Sequence, residues 1–251
     1  MDNKKIQELK VVLKNLNKVG VNDEIRKEAI DLVKDIDAID LSIAEQQLIE
    51  EGMEPQDLRH LCDVHMEVLK DELSKIKTKI NKGHVVYTLI DEHDKIIKFL
   101  EDLEKVNLDI QESKNYNEAK EKIDSLHKLA ENILDAENHH QREEKVLFVE
   151  MEKREITGPT RIMRMEHDDL RLRKKELKRL SENADKMKFD EFKSKVDEVS
   201  KYIIFNLRDH IFKENYILYP SSIEVIKGKD IWDDMKRKCD EIGYCSFTFK
   251  N

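Results

Sequence analysis

Glycine and proline are scarce in this chain, with 6 and 3 residues among 251. Few positions can break a helix, and no alternating strand pattern of any length appears. No apolar run approaches the ~18 residues of a membrane span, and the N-terminal stretch MDNKKIQELK lacks the apolar core of a signal peptide. The three cysteines, Cys62, Cys239 and Cys245, form no CxxC pair and leave one thiol over. That pattern fits a reducing cytoplasm and argues against a disulfide framework or a zinc knuckle. A net charge of −9 disfavours nucleic-acid binding, which would need a basic stripe. What the chain has in excess is charge, 40% of residues, against roughly 25% in ordinary domains. Beside it stand 39% apolar residues, enough for a core. The expectation is an all-α, cytoplasmic protein of long helices.

Three segments follow from the breaks. Residues 1–80 read as a small helical domain of short amphipathic pieces, the last and longest opening at Pro55 and running through DLRHLCDVHMEVLKDELSKIKTKI. NKGH (81–84) is the junction. Residues 81–220 read as four long helices: about 84–110, about 117–154, from Pro159 or Thr160 to SENAD, and about 188–219. Connections this short join antiparallel neighbours, so an up-down-up-down four-helix bundle is expected. Residues 221–251 form a helical tail holding KDIWDDMKRKCDEI and an apolar end, GYCSFTF.

Histidines fall on the apolar stripes of these helices. His93 lies within Leu89, Ile90, Ile96, Ile97, Leu100 and Leu103; His167 is bracketed by Met163, Leu170 and Leu177. Val196, Val199, Ile203 and Leu207 lead to His210, with Glu214 one turn later. The second helix offers His139 or His140 in ENHHQREEKVLFVEME (137–152). Two of these helices carry their histidine near the start and two toward the end. In an up-down bundle all four imidazoles then lie within roughly 10–20 Å of one end, at about 1.5 Å rise per residue. Such a polar layer in a core costs several kcal/mol unless something pairs it, and a metal is the simplest partner.

Two clues disagree about the second helix. The heptad Leu126, Ile133 runs on to His140, favouring His140 and Glu144. Laying AENHHQREEKVLFV (136–149) over LRDHIFKENYILYP (207–220) instead matches His139 with His210 and Glu143 with Glu214. The alignment spans the site, whereas the heptad is extrapolated through a stretch where helices can bulge, so His139 and Glu143 are expected and His140 and Glu144 flank them. His84 lies about 13 Å along and about 180° around from His93 on an unbroken helix, which keeps it away. Asp91, Glu92 and Asp94 are expected on a solvated face, and His60, His65 and His127 at the surface or an interface.

At LIDEHDKI, HHQREEKVLF, GPTRIMRMEHDDLR and DHIFKENYILYP the chain resembles the hemerythrin-like cation-binding family over roughly residues 84–220. LSIAEQQLIEEGMEPQDLRHLCDVHMEVL resembles an N-terminal helical domain of unknown function carried by some of its members. DIWDDMKRKCDEIGYC resembles a tail that often leads into a PAS sensor domain; the sequence ends at Asn251 and no such module is expected. The resemblance implies a non-haem di-iron centre, oxo- or hydroxo-bridged, held by His93, His139, Glu143, His167, His210 and Glu214. Oxygen carriers of the family usually present a HisxxxHis pair in the third helix, where this chain has His167 followed by Arg171. Val149 stands where relatives often have Pro. The set is therefore closer to the iron-cluster-repair and stress-response branch.

Imidazole and carboxylate donors suit iron, manganese or zinc. Six such ligands leave two octahedral ions with open positions for O2, peroxide or NO. One reading is a protein that binds or senses O2 or NO in oxidative or nitrosative stress, with a protein partner reached through the N-terminal domain. A second is an enzyme reducing peroxide or NO, or repairing iron–sulfur clusters, with Tyr87, Tyr202 and Tyr216 as redox neighbours. A third is a structural adaptor whose polar layer fixes helix register.

Overall fold

The computed structural model describes residues 80–248, together with Val11, Glu51, Lys77 and Thr78. The expected N-terminal helices, with Cys62, His60 and His65, lie outside the described residues. Residues Ile80–Ile211 and those from Ser221 onward form one compact unit; Phe212–Pro220 belongs to another and is described by itself.

The fold is all-α, and no strand occurs among the described residues. Helix α1 spans Val85–Glu112. His84 caps it, accepting the Val86 N–H on Nδ1 at 3.2 Å while its ring lies 4.3 Å from that of Trp232. His84 thus stands just before the helix as its cap and is half-buried; the expected angular offset assumed that it lay within the helix. Helix α2, Tyr116–Asp135, is capped by Asn115, whose side chain accepts from Glu118 N–H.

The expected second long helix is interrupted. At Ala136 the ladder tightens, with the N–H groups of His139 and His140 both reaching the Ala136 carbonyl at 3.1 and 3.4 Å. Then come α3 (Glu137–Arg142), a π-helical turn (Glu143–Leu147) and α4 (Phe148–Glu152). Neither Gly nor Pro marks the break, so composition gave no sign of it. The helix ends in a Schellman-type cap: Ile156 N–H bonds Met151 O, Glu155 N–H bonds Glu152 O, and Glu155 takes φ 67°.

Helix α5 (Gly158–Glu182) begins with Pro159 in its first turn, and α6 covers Phe189–Lys213. A second π-helical turn, Glu214–Leu218, and α7 (Tyr219–Val225) follow, then α8 (Lys229–Ile242). The end of α1 meets the start of α6, where Asn107 donates to Asp197 at 2.8 Å and Gln111 to the Lys193 carbonyl at 3.0 Å. Tyr116 at the start of α2 donates to Met187 O just before α6. The four long helices thus alternate in direction as the short connections require. Ile96, Leu100 and Leu103 of α1, Leu126 and Ile133 of α2, Leu170 and Leu177 of α5, and Val196, Ile203 and Leu207 of α6 fill one core. Each stripe repeats at the three- and four-residue intervals of a helix face.

Candidate metal centre

One end of this core changes character. His93, His139, His140, Glu143, His167 and His210 are each no more than 1% exposed. All six lie in the unit that holds α1 to α6 as far as Ile211. His93 Nε2 faces His139 Nε2 at 3.1 Å. Glu143 Oε2 stands 3.4 Å from His139 Nε2 and 3.5 Å from His167 Nε2. The His167 and His210 ring centres are 4.6 Å apart. Ring nitrogens of His140, His167 and His210 fall within 4.8 Å of one another.

Three of the rings are held from behind by carboxylates on other elements. His139 Nδ1 donates to Glu92 of α1, His167 Nδ1 to Glu144 of the π turn, and His210 Nδ1 to Glu166 of α5, each at 2.8 Å. An ionised carboxylate only accepts, so it draws the imidazole proton to Nδ1 and leaves the Nε2 lone pair facing inward. Lone pairs of His139 and His167 then converge on the Glu143 carboxylate. Nitrogen and oxygen donors grouped in this way could hold a transition-metal cation.

The carboxylates are anchored in turn. Burial alone would raise the Glu92 carboxyl, but the His139 hydrogen bond and charge, the Arg142 charge and the Thr248 hydroxyl hold it at about 2. The fully buried Arg142 contacts Glu92 Oε1 and Oε2 at 2.6 and 2.5 Å. For Glu144, burial again opposes ionisation, and the His167 hydrogen bond with Arg171 overcomes it. Arg171, one turn after His167, sits 2.9 Å from both Glu144 and Glu137, so it braces the carboxylate behind His167.

His140 was expected to flank the site; it is instead inside it. Its ring stacks on His167, centroids 4.0 Å apart and 8° from parallel. Its Nε2 lies 3.4 Å from the ammonium of buried Lys174. Burial and that ammonium push its pKa well below the ordinary histidine value, keeping the ring neutral. Both adjacent histidines are buried, between the tightening at Ala136 and the π turn that opens at Glu143.

Glu92 is a further correction. It was placed on a solvated face and is 1% exposed. Leu89, Glu92, His93 and Ile96 are spaced three, four and seven residues apart, so Glu92 rides the buried stripe. Asp94 is exposed as expected, and His127 lies at the surface beside Ser181 and Glu131. Tyr202 donates to Asp169; burial and this carboxylate push its hydroxyl up to about 12. Arg142 and Lys174 are buried and Glu166 is half-buried, which the sequence does not signal because charged residues are so common in it.

Glu214 belongs to the other unit. It is 1% exposed and opens the π turn Glu214–Leu218, one turn after His210. Glu143 stands in the same relation to His139 and to the π turn Glu143–Leu147.

A helical bundle with buried imidazoles and a carboxylate at one end defines a class of cation-binding proteins. The hemerythrin HHE cation-binding domain model matches residues 84–221, more than half of the chain, and the chain belongs to that family. Residues 9–75 match a family of unknown function, DUF438. No curated protein matches the chain. No helix among the described residues is long and apolar enough to cross a membrane.

Proposed function

We propose that this is a cytoplasmic non-haem di-iron protein that binds or senses a small diatomic ligand, O2 or NO, in oxidative or nitrosative stress. His93, His139, Glu143, His167, His210 and Glu214 would hold two iron ions. Residues 81–220 would be the metal-binding domain, 1–80 the domain that meets a protein partner, and 221–251 a helical tail. The observation that carries the reading is the convergence of the His139 and His167 Nε2 atoms on one Glu143 oxygen, with both Nδ1 atoms occupied by carboxylates. Glu214 joins the set because it repeats the relation of Glu143 to its histidine and its π turn.

Bound iron would supply redox chemistry and open coordination positions for the diatomic ligand. The residues of the chain do the rest. Glu92, Glu144 and Glu166 keep protons on Nδ1 and fix the rings before any ion arrives. His140, with Lys174 against its Nε2, serves as a packing ring rather than a ligand. Leu89, Ile96, Leu170 and Leu207, all buried on the same helices, keep bulk water out.

The test is anaerobic purification, metal analysis per chain, and visible spectra before and after O2 or NO. Near-stoichiometric iron with reversible charge-transfer bands is the expected outcome. Turnover of peroxide or NO would instead make the protein an enzyme, and absence of stoichiometric metal would overturn the reading.

A further inference from the structure

The segment after α8 lies beyond the matched family domain, yet it reaches the carboxylate behind His139. Gly243, at φ 91°, ends α8 and turns the chain, a conformation in which an L side chain is strained. Tyr244 O then accepts from Asn138 at 3.0 Å, and its ring lies under the Arg142 guanidinium at 4.6 Å. Ser246 N–H donates to Asp135 at 2.6 Å, and Phe247 packs edge-on against Phe99. Thr248 Oγ1 donates to Glu92 Oε1 at 2.5 Å. Glu92 thus has its inner oxygen on His139 and its outer oxygen on the tail, with Arg142 touching both.

We propose that residues 244–248 are a built-in outer wall of the metal centre, with Thr248 acting as a positioning residue for His139 through Glu92. The inference rests on the metal reading above. Imidazole orientation at a metal is set by the group behind Nδ1, and loss of such a group weakens binding. By linkage, if docking of the tail favours a metal-ready His139, then metal binding favours docking of the tail by the same factor. Under that linkage the tail carries occupancy of the site to the surface.

The experiment uses full-length protein and Co(II), whose visible bands report ligand geometry. Wild type is titrated first, with Thr248→Val, Thr248→Ser and Phe247→Ala in parallel, and thermal melts confirm folding. Hydrogen exchange at Ser246 and Thr248 is followed with and without Co(II). Thr248→Val is expected to bind about tenfold more weakly with shifted bands, at the low end of such effects. Thr248→Ser should restore both, and Phe247→Ala, which frees the tail without touching Glu92, should act like Thr248→Val. Co(II) should slow exchange at both amides about tenfold, by the same linkage. Wild-type affinity and spectra in the Val and Ala variants, with exchange indifferent to Co(II), would overturn this inference alone. Failure of wild type to take up Co(II) would overturn it together with the metal reading.

Discussion

His140 lies face to face on His167, the two rings 4.0 Å apart and 8° from parallel. The adjacent histidines face different partners: His139 turns its Nε2 toward His93 and Glu143, while His140 turns its own toward Lys174, and the proposed ligand set keeps only His139. His139→Ala is expected to lose at least one metal ion per chain. His140→Phe, which preserves a flat ring over His167, should retain both ions of the proposed di-iron centre. Metal analysis of the two purified variants decides the matter, and the opposite pattern would make His140 the ligand.

Glu92 gives a pH signature. Its folded pKa of about 2 lies below the ordinary value of 4.5, so its contribution is fully present above about pH 4.5 and is lost as pH falls toward 2. The shift corresponds to about 3 kcal/mol at neutral pH. In chelator-treated protein, Glu92→Gln should lower stability at pH 6, and the gap to wild type should shrink steadily between pH 4.5 and 3. Urea unfolding across that range measures it; a constant gap would contradict the buried ion pair with Arg142.

The π turn at Glu143–Leu147 carries one residue more than an α-helical path would. Lys145 is its exposed member. Deleting Lys145 would restore regular winding and rotate Glu143 relative to Phe148 and Met151 by about 100°. The expected cost exceeds about 2 kcal/mol, whereas Lys145→Ala should stay within about 0.5 kcal/mol of wild type. Denaturant midpoints of the two variants test whether the wide turn is required.

These irregular turns also mark where the sequence stopped being readable. Leu100, Leu177 and Ile203 repeat at helical intervals and are buried as that repeat demands. His93, His167 and His210 sit on the same stripes, so their inward placement followed from periodicity. In the second helix periodicity fails at Ala136 and again at Glu143, and both competing clues held part of the truth. The heptad correctly buried His140, and the two segments that the alignment matched each carry a π turn, opening at Glu143 and at Glu214. Glu92 was missed for another reason. A carboxylate beside a histidine reads as solvated until its partners are known, and Arg142 and Thr248 are 50 and 156 residues away.

The two described cysteines should be chemically quiet. Burial pushes Cys239 up to about 11 and Cys245 up to about 12. At pH 8 roughly one Cys239 in a thousand and one Cys245 in ten thousand would be thiolate. In a Cys62→Ser background, Ellman's reagent should label neither thiol until denaturant is added. Rapid labelling of the native protein would show that the tail opens.

The three Nδ1 clamps each join an imidazole to a carboxylate from a different element: Glu92 to His139, Glu144 to His167, Glu166 to His210. Rings locked crosswise in this way form a rigid socket rather than a closing hand. On the metal-binding reading, filling it would require little reshaping of the rings that these clamps hold. On the same reading, a socket built like this is ready-made, and any signal it sends outward would be written in small adjustments at its rim.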